Sequence, residues 1–239
     1  MPDDNIQAGT PLILASTSPR RRELIQVLGR PVRIMGSNAD ETVEPGTAPA
    51  DIVQELSLRK AAAVLEQLEP EAEGILIGSD TIVVLNGEVL GKPTDAEDAK
   101  RMLRRLQGNV HEVYTGVASV HVGLAKAHAE GRNQWSRYAG WKEHPIAYRG
   151  LTGQYQVHTA PLAGGLPMAA VGHTVSRVTF GPMSEAEIDA YVQSGEPMDK
   201  AGSYGVQGLG SVYIEKIEGD FYSVMGLPLN LLYRMLKIR

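Results

Sequence analysis

The chain has 239 residues, 43% of them hydrophobic, which is enough for a packed core in one large or two small domains. Its 28 acidic and 23 basic residues leave a net charge of −5, which argues against extended nucleic acid as a partner and leaves room for a small anion in a local basic pocket. Without cysteine there is no disulfide, thiolate nucleophile or zinc–thiolate site, and with a polar start and no apolar run near ~20 residues the chain reads as cytoplasmic, with no membrane partner.

Residues 1–9 read as a flexible tail, and a single domain of two lobes is expected over 10–239. An apolar strand ends at Leu14 and is followed by the hydroxyl-rich turn Ser16-Thr17-Ser18. Ser18 is placed to cap a helix, Pro19 suits its first position, and Gly29 closes it after Leu24, Ile25 and Leu28. Arg20, Arg21 and Arg22 then stand at the positive end of that helix, where cations raise the energy unless an anion joins them. A phosphate chain is the natural occupant. The motif is neither a P-loop nor a dinucleotide fingerprint, because the glycines and the lysine of those motifs are missing.

Val32 to Met35 reads as a strand and Gly36 to Thr47 as a polar loop carrying Asp40, Glu41 and Glu44. The next helix is expected from about Pro49 to Leu68. Lys60 follows Leu56 by four residues and so shares the inward stripe with Ile52 and Ala63, where a cation needs a partner. Gly74 to Gly78 reads as an apolar strand ending at Ser79 and Asp80, with Thr81 to Leu85 turning at Asn86-Gly87 into a hairpin. Lys92 follows the return strand. Thr94 and Glu97 are expected to box the start of a helix to Leu106, and Val110 to Val120 continues as strand.

From about 123 to 170 no period persists, and this stretch, with both Trp135 and Trp141, reads as an irregular insertion. A strand over Val175 to Phe180 and a helix capped by Ser184 and Glu187 come next. Asp199 to Gly210 is glycine-rich, Ser211 to Ile217 strand-like, and Leu227 to Ile238 an amphipathic terminal helix. Helices interleaved with strands, together with one hairpin, imply an α/β fold on a mixed sheet.

Asp80 is the leading catalytic candidate, since a carboxylate at a strand end in an α/β sheet stands where sites gather. Glu41 offers a second carboxylate, and such a pair with phosphate oxygens and water suits Mg²⁺. Lys60 and Lys92 are candidate phosphate partners, and Gln207 can both give and accept on a base edge. His121, His128, His144, His158 and His173 are spaced too irregularly for a local metal pair and receive no role.

Taken together, LASTSPRRRELI, LIGSDTIVVLNGEVLGKP, AKRMLRRLQG with HEVYTGVA, GEPMDKAGSYGVQGLG and VMGLPL resemble the Maf family of nucleoside triphosphate pyrophosphatases. The resemblance implies a mixed sheet with two lobes around a central cleft, a homodimer, and hydrolysis of a nucleotide to monophosphate and pyrophosphate with a divalent cation, Mg²⁺ or Mn²⁺. It places the proton acceptor on Asp80, the acidic metal residue on Glu41 beside Asp80, with Asp40 the alternative, and the phosphate-binding lysines on Lys60 and Lys92. Arg20, Thr81 and Gln207 fall on positions tied to nucleotide choice, matching the dTTP/UTP branch more than the 7-methyl-GTP branch. Ser16, Ser18 and Arg21 would complete the phosphate cradle. A non-catalytic nucleotide-binding regulator of cell division is the alternative of another class.

Overall fold

The computed structural model describes residues 9–129, 144–160 and 166–238. The N-terminal tail over 1–8 and both tryptophans lie outside the described residues.

In chain order the elements are β1 (Leu12–Ala15), α1 (Pro19–Gln26), β2 (Val32–Met35), α2 (Pro49–Leu65), β3 (Ile75–Leu85), β4 (Glu88–Leu90), α3 (Ala96–Leu106), β5 (Val110–His121), α4 (Val122–Ala129), β6 (Ile146–Arg149), β7 (Gly153–Ala160), β8 (Leu166–Phe180), α5 (Glu185–Gln193), β9 (Ile214–Glu218), α6 (Phe221–Met225) and α7 (Leu229–Met235). The strands form one mixed sheet of order β2-β1-β3-β5-β8-β7-β6, with β4 on β3 and β9 on β8. β1 runs parallel to both β2 and β3, and the other pairings are antiparallel.

β1 is buried on both faces, and its alternation divides the core. Ile13 and Ala15 pack with Leu58, Ala61 and Leu65 of α2, whereas Leu12 and Leu14 pack with Leu24 and Ile25 of α1 and Leu232 of α7. A further cluster joins the far half of β3, through Val83 and Leu85, to Leu103 and Leu106 of α3 and Ile188 of α5.

α2 lies directly on the sheet because two facing strand positions have no side chain. A Cβ at Gly78 would meet the Ser57 carbonyl at 1.9 Å, and one at Gly116 would meet the Val53 carbonyl at 2.0 Å. This close bed sets the height of α2, and with it Lys60, above the middle of β3.

Several elements depart from the sequence reading. β3 is one continuous strand, so Asp80 sits in its middle and not at its end. What changes at Asp80 is the neighbour. β1 pairs with β3 no further than Ile77 and the pairing with β4 begins at Val83, so one edge of β3 between them has no strand partner among the described residues. The stretch from 123 to 170 contains α4, β6, β7 and the first residues of β8, which widen the sheet; its glycines, histidines and tyrosines hide the alternation. Asp95, not Thr94, caps α3, its side chain accepting from the Asp98 amide at 2.8 Å. α2 ends at Leu65. Residues Gly208–Tyr213 form a short 3-10 turn before β9; the terminal helix expected over Leu227 to Ile238 is α7, and the short α6 ahead of it, closed by Gly226, was not foreseen. No helix among the described residues is long and apolar enough to cross a membrane.

Candidate active site

Where β1 and β4 leave the edge of β3 bare, a cavity of about 620 Å³ opens. Ser16, Thr17 and Ser18 line it at the exit of β1, followed by Arg20 and Arg21 of α1; Glu41, Lys60, Asp80, Thr81 and Lys92 complete the part nearest the sheet edge. Alternation along β3 aims its residues to opposite faces, Asp80 toward α2 and Ser79 and Thr81 toward α6. The cavity therefore meets two different sets of groups around one strand edge.

On the α2 face, the Lys60 ammonium bridges two carboxylates, donating to Asp80 Oδ1 at 2.5 Å and standing 2.9 Å from Glu41 Oε1. Lys60 and Asp80 are largely buried while Glu41 is half-exposed. Burial pushes the Glu41 carboxyl up, but the Lys60 hydrogen bond and the charges of Lys60, Lys92 and Arg21 together hold it below the ordinary glutamate value. Asp40, the alternative one residue earlier, accepts from the Thr42 amide at 2.9 Å and so is spent on its own turn.

The described residues contain no group of three or more carboxylate, histidine or cysteine side chains that could cage a metal. Glu41 and Asp80, sharing one cation already, are a donor set that fits a hard divalent ion drawing its other oxygens from phosphate and water.

On the α6 face, Arg21 is clamped. Its Nε donates to the Gly226 carbonyl at 2.7 Å and its Nη2 to Thr81 Oγ1 at 3.1 Å. Burial lowers the Arg21 pKa, with the charge of Asp80 opposing that shift. Ser79 Oγ lies 2.8 Å from the Gly116 carbonyl and 2.9 Å from the Gly226 carbonyl, which share its one proton, and so links β3, β5 and the turn after α6. Ser16 Oγ accepts from the Ser18 amide at 3.1 Å, which shapes the hydroxyl turn; Ser18 occupies the cap position of α1 without a side-chain cap bond. Arg22 is exposed and outside the cavity, so two of the three arginines face it.

Opposite stands the glycine-rich segment. Asp199, Lys200, Tyr204, Gly205 and Val206 line the cavity, and Lys200 Nζ lies 2.6 Å from Asp199 Oδ1. Burial raises the Asp199 carboxyl, and the Lys200 bond with the charges of Lys200 and Arg20 brings it below its ordinary value. Gln207 follows directly on Val206 and is not itself among the residues that line the cavity. Beyond it, Glu196 accepts from the amides of Leu209 and Gly210, at 2.8 and 3.0 Å, and holds that part of the loop. Sequence reasoning missed Tyr204, whose hydroxyl meets buried His111 Nε2 at 2.7 Å, and Thr115, whose place depends on strand register. The antiparallel pairing of TIVVL with EVYTG was the signal available for Thr115.

The description "Maf-like protein" fits two overlapping stretches of the chain, 11–139 and 120–238, whose junction falls in the region that sequence reading treated as an insertion. A protein of Bacillus cereus strain AH820 named dTTP/UTP pyrophosphatase is 40% identical over 226 residues, spanning 95% of this chain and 94% of its own. Its namesake in Bacillus anthracis strain CDC 684 shows the same identity and coverage, and the one in Bacillus cytotoxicus is 40% identical over 225 residues, 94% of this chain and 93% of its own. With the family matched at both ends and relatives of this identity along nearly the whole length, the chain belongs to the Maf family.

Proposed function

We propose that the protein is a nucleoside triphosphate pyrophosphatase acting on dTTP and UTP, yielding the monophosphate and pyrophosphate. The observation that carries this reading is the Asp80–Lys60–Glu41 bridge at a bare strand edge, facing a cavity with Arg20, Arg21 and Lys92 on its walls. The relatives' shared name supports the substrate.

In this reading the triphosphate lies between the hydroxyl turn and the sheet edge. Ser16 and Ser18 donate to its oxygens, while Arg20 and Lys92 offset its charge; Arg21, held by Gly226 and Thr81, adds a fixed positive wall. Lys60 orients Asp80 by donating to its Oδ1. Asp80 aligns a water and takes its proton as the water oxygen bonds to the α-phosphorus; the bond from that phosphorus to the bridging oxygen breaks and pyrophosphate leaves with the electron pair. Glu41 and Asp80 are the residues that would hold Mg²⁺ or Mn²⁺, and such an ion supplies neutralisation of phosphate charge.

Asp80→Asn keeps the shape of the side chain and removes the base. With dTTP or UTP and Mg²⁺, pyrophosphate release should fall by on the order of 10²–10⁴ while thermal unfolding changes little. Unaltered turnover would remove Asp80 from the chemistry. A wild-type protein that binds the triphosphate and returns it intact would be a binding protein, and the reading would fail.

A further inference from the structure

Thr115 stands opposite Thr81 in the β3–β5 register, fully buried beneath the cavity face of α6. Its Oγ1 lies 2.7 Å from the Ser223 carbonyl and 3.1 Å from Thr81 Oγ1. A carbonyl can only accept and a hydroxyl has one proton, so Thr115 must donate to Ser223. The Thr81 proton is then committed to Thr115. Arg21 Nη2 donates into one Thr81 lone pair from another side, at 3.1 Å. What Thr81 has left for the cavity is a single lone pair and no proton. Glycine at position 226 keeps that lone pair accessible, since a Cβ there would stand 3.6 Å from Thr81 Oγ1.

We propose that Thr115 is a positioning residue that makes Thr81 an acceptor-only contact, so that the site favours a nucleotide group with a proton to give. This rests on the pyrophosphatase reading above and states the chemistry of its selectivity. Two parts that dTTP and UTP have in common carry such a proton: the imide N–H of thymine and uracil, where cytosine has an accepting ring nitrogen, and the sugar 3′ hydroxyl. Both are the same chemistry to Thr81, a donor facing a fixed lone pair.

The test compares Thr115→Val with Thr115→Ser. Valine removes the relay without orphaning Ser223, whose carbonyl also accepts the Gly226 amide at 2.9 Å. kcat and KM are measured separately for UTP, CTP, dTTP and the 3′-deoxy analogue of dTTP. In the valine variant the Thr81 proton is released toward the cavity, and one ratio of kcat/KM should move about tenfold, chiefly through KM. A rise in CTP relative to UTP assigns the base; a rise in the 3′-deoxy analogue relative to dTTP assigns the sugar; serine should restore the wild-type ratio. Thr115→Ala reads the same relay where valine is poorly accommodated. Ratios that stay within about twofold in the hydroxyl-free variants, or an equal loss on all substrates in serine and valine variants alike, overturn the proposal. Wild-type failure on every triphosphate would instead overturn the pyrophosphatase reading.

Discussion

The height of α2 above the sheet offers a direct perturbation of the candidate site from a position that touches no ligand. In Gly116→Ala the new Cβ would stand 2.0 Å from the Val53 carbonyl oxygen, where ordinary contact begins at 3.4 Å, so the helix must rise by about 1.4 Å near that point. Lys60 is seven residues further along the same helix and moves with it. Its Nζ, 2.5 Å from Asp80 Oδ1, would then stand nearly 4 Å away if the helix moves rigidly, past hydrogen-bonding range. Misplacement of ~1 Å at a reacting centre can cost about 10²-fold, so kcat/KM for UTP should fall by that order. Overpacking costs about 1–3 kcal/mol, equivalent to a fall in Tm of roughly 2–12 °C for a chain of this size. Gly78→Ala, whose Cβ meets the Ser57 carbonyl at 1.9 Å, should behave alike. Because either substitution lifts the same helix, the double variant should lose little more than each single one. Activity assays with melting curves on the three variants decide the matter: kcat/KM within twofold of wild type in Gly116→Ala, or losses that simply multiply in the double variant, would refute the linkage between the glycine bed and Lys60.

Two more expectations follow from polar groups that do not line the cavity. Burial lowers His111 from 6.5 to about 4, so the unfolded chain takes up a proton near pH 6.5 that the fold refuses until about pH 4. Unfolding free energy should accordingly decline as pH falls through that window and level off below it, and His111→Gln should flatten the decline in denaturant titrations. Glu196 holds the Leu209 and Gly210 amides and accepts from the Tyr191 hydroxyl at 2.9 Å; Glu196→Ala should destabilise the protein by about 1–3 kcal/mol and raise KM more than it lowers kcat, read by calorimetry beside steady-state kinetics.

How far the site was readable from residues depends on whether each signal was local. Lys60 was legible because helical spacing alone put it on the stripe of Leu56, and the structure places its ammonium on Asp80 and Glu41. The arginine turn was legible from the conflict between its charge and the helix dipole, though spacing could not say that Arg22 would face solvent while Arg21 was clamped. Asp80 was singled out for a strand end that does not exist; the bare edge arises from where β1 stops and β4 starts, a fact of pairing between segments that no window along β3 contains. The same holds for β6 and β7, whose residues alternate too weakly to announce strands. Thr115 is the sharpest case. Its hydroxyl gains a direction only when Ser223, more than a hundred residues later, supplies a carbonyl that can do nothing but accept. Residue types thus declare the kind of chemistry a site can hold, whereas the polarity of its hydrogen bonds, and so which partner it accepts, is settled by strand register and the closing turn of the chain.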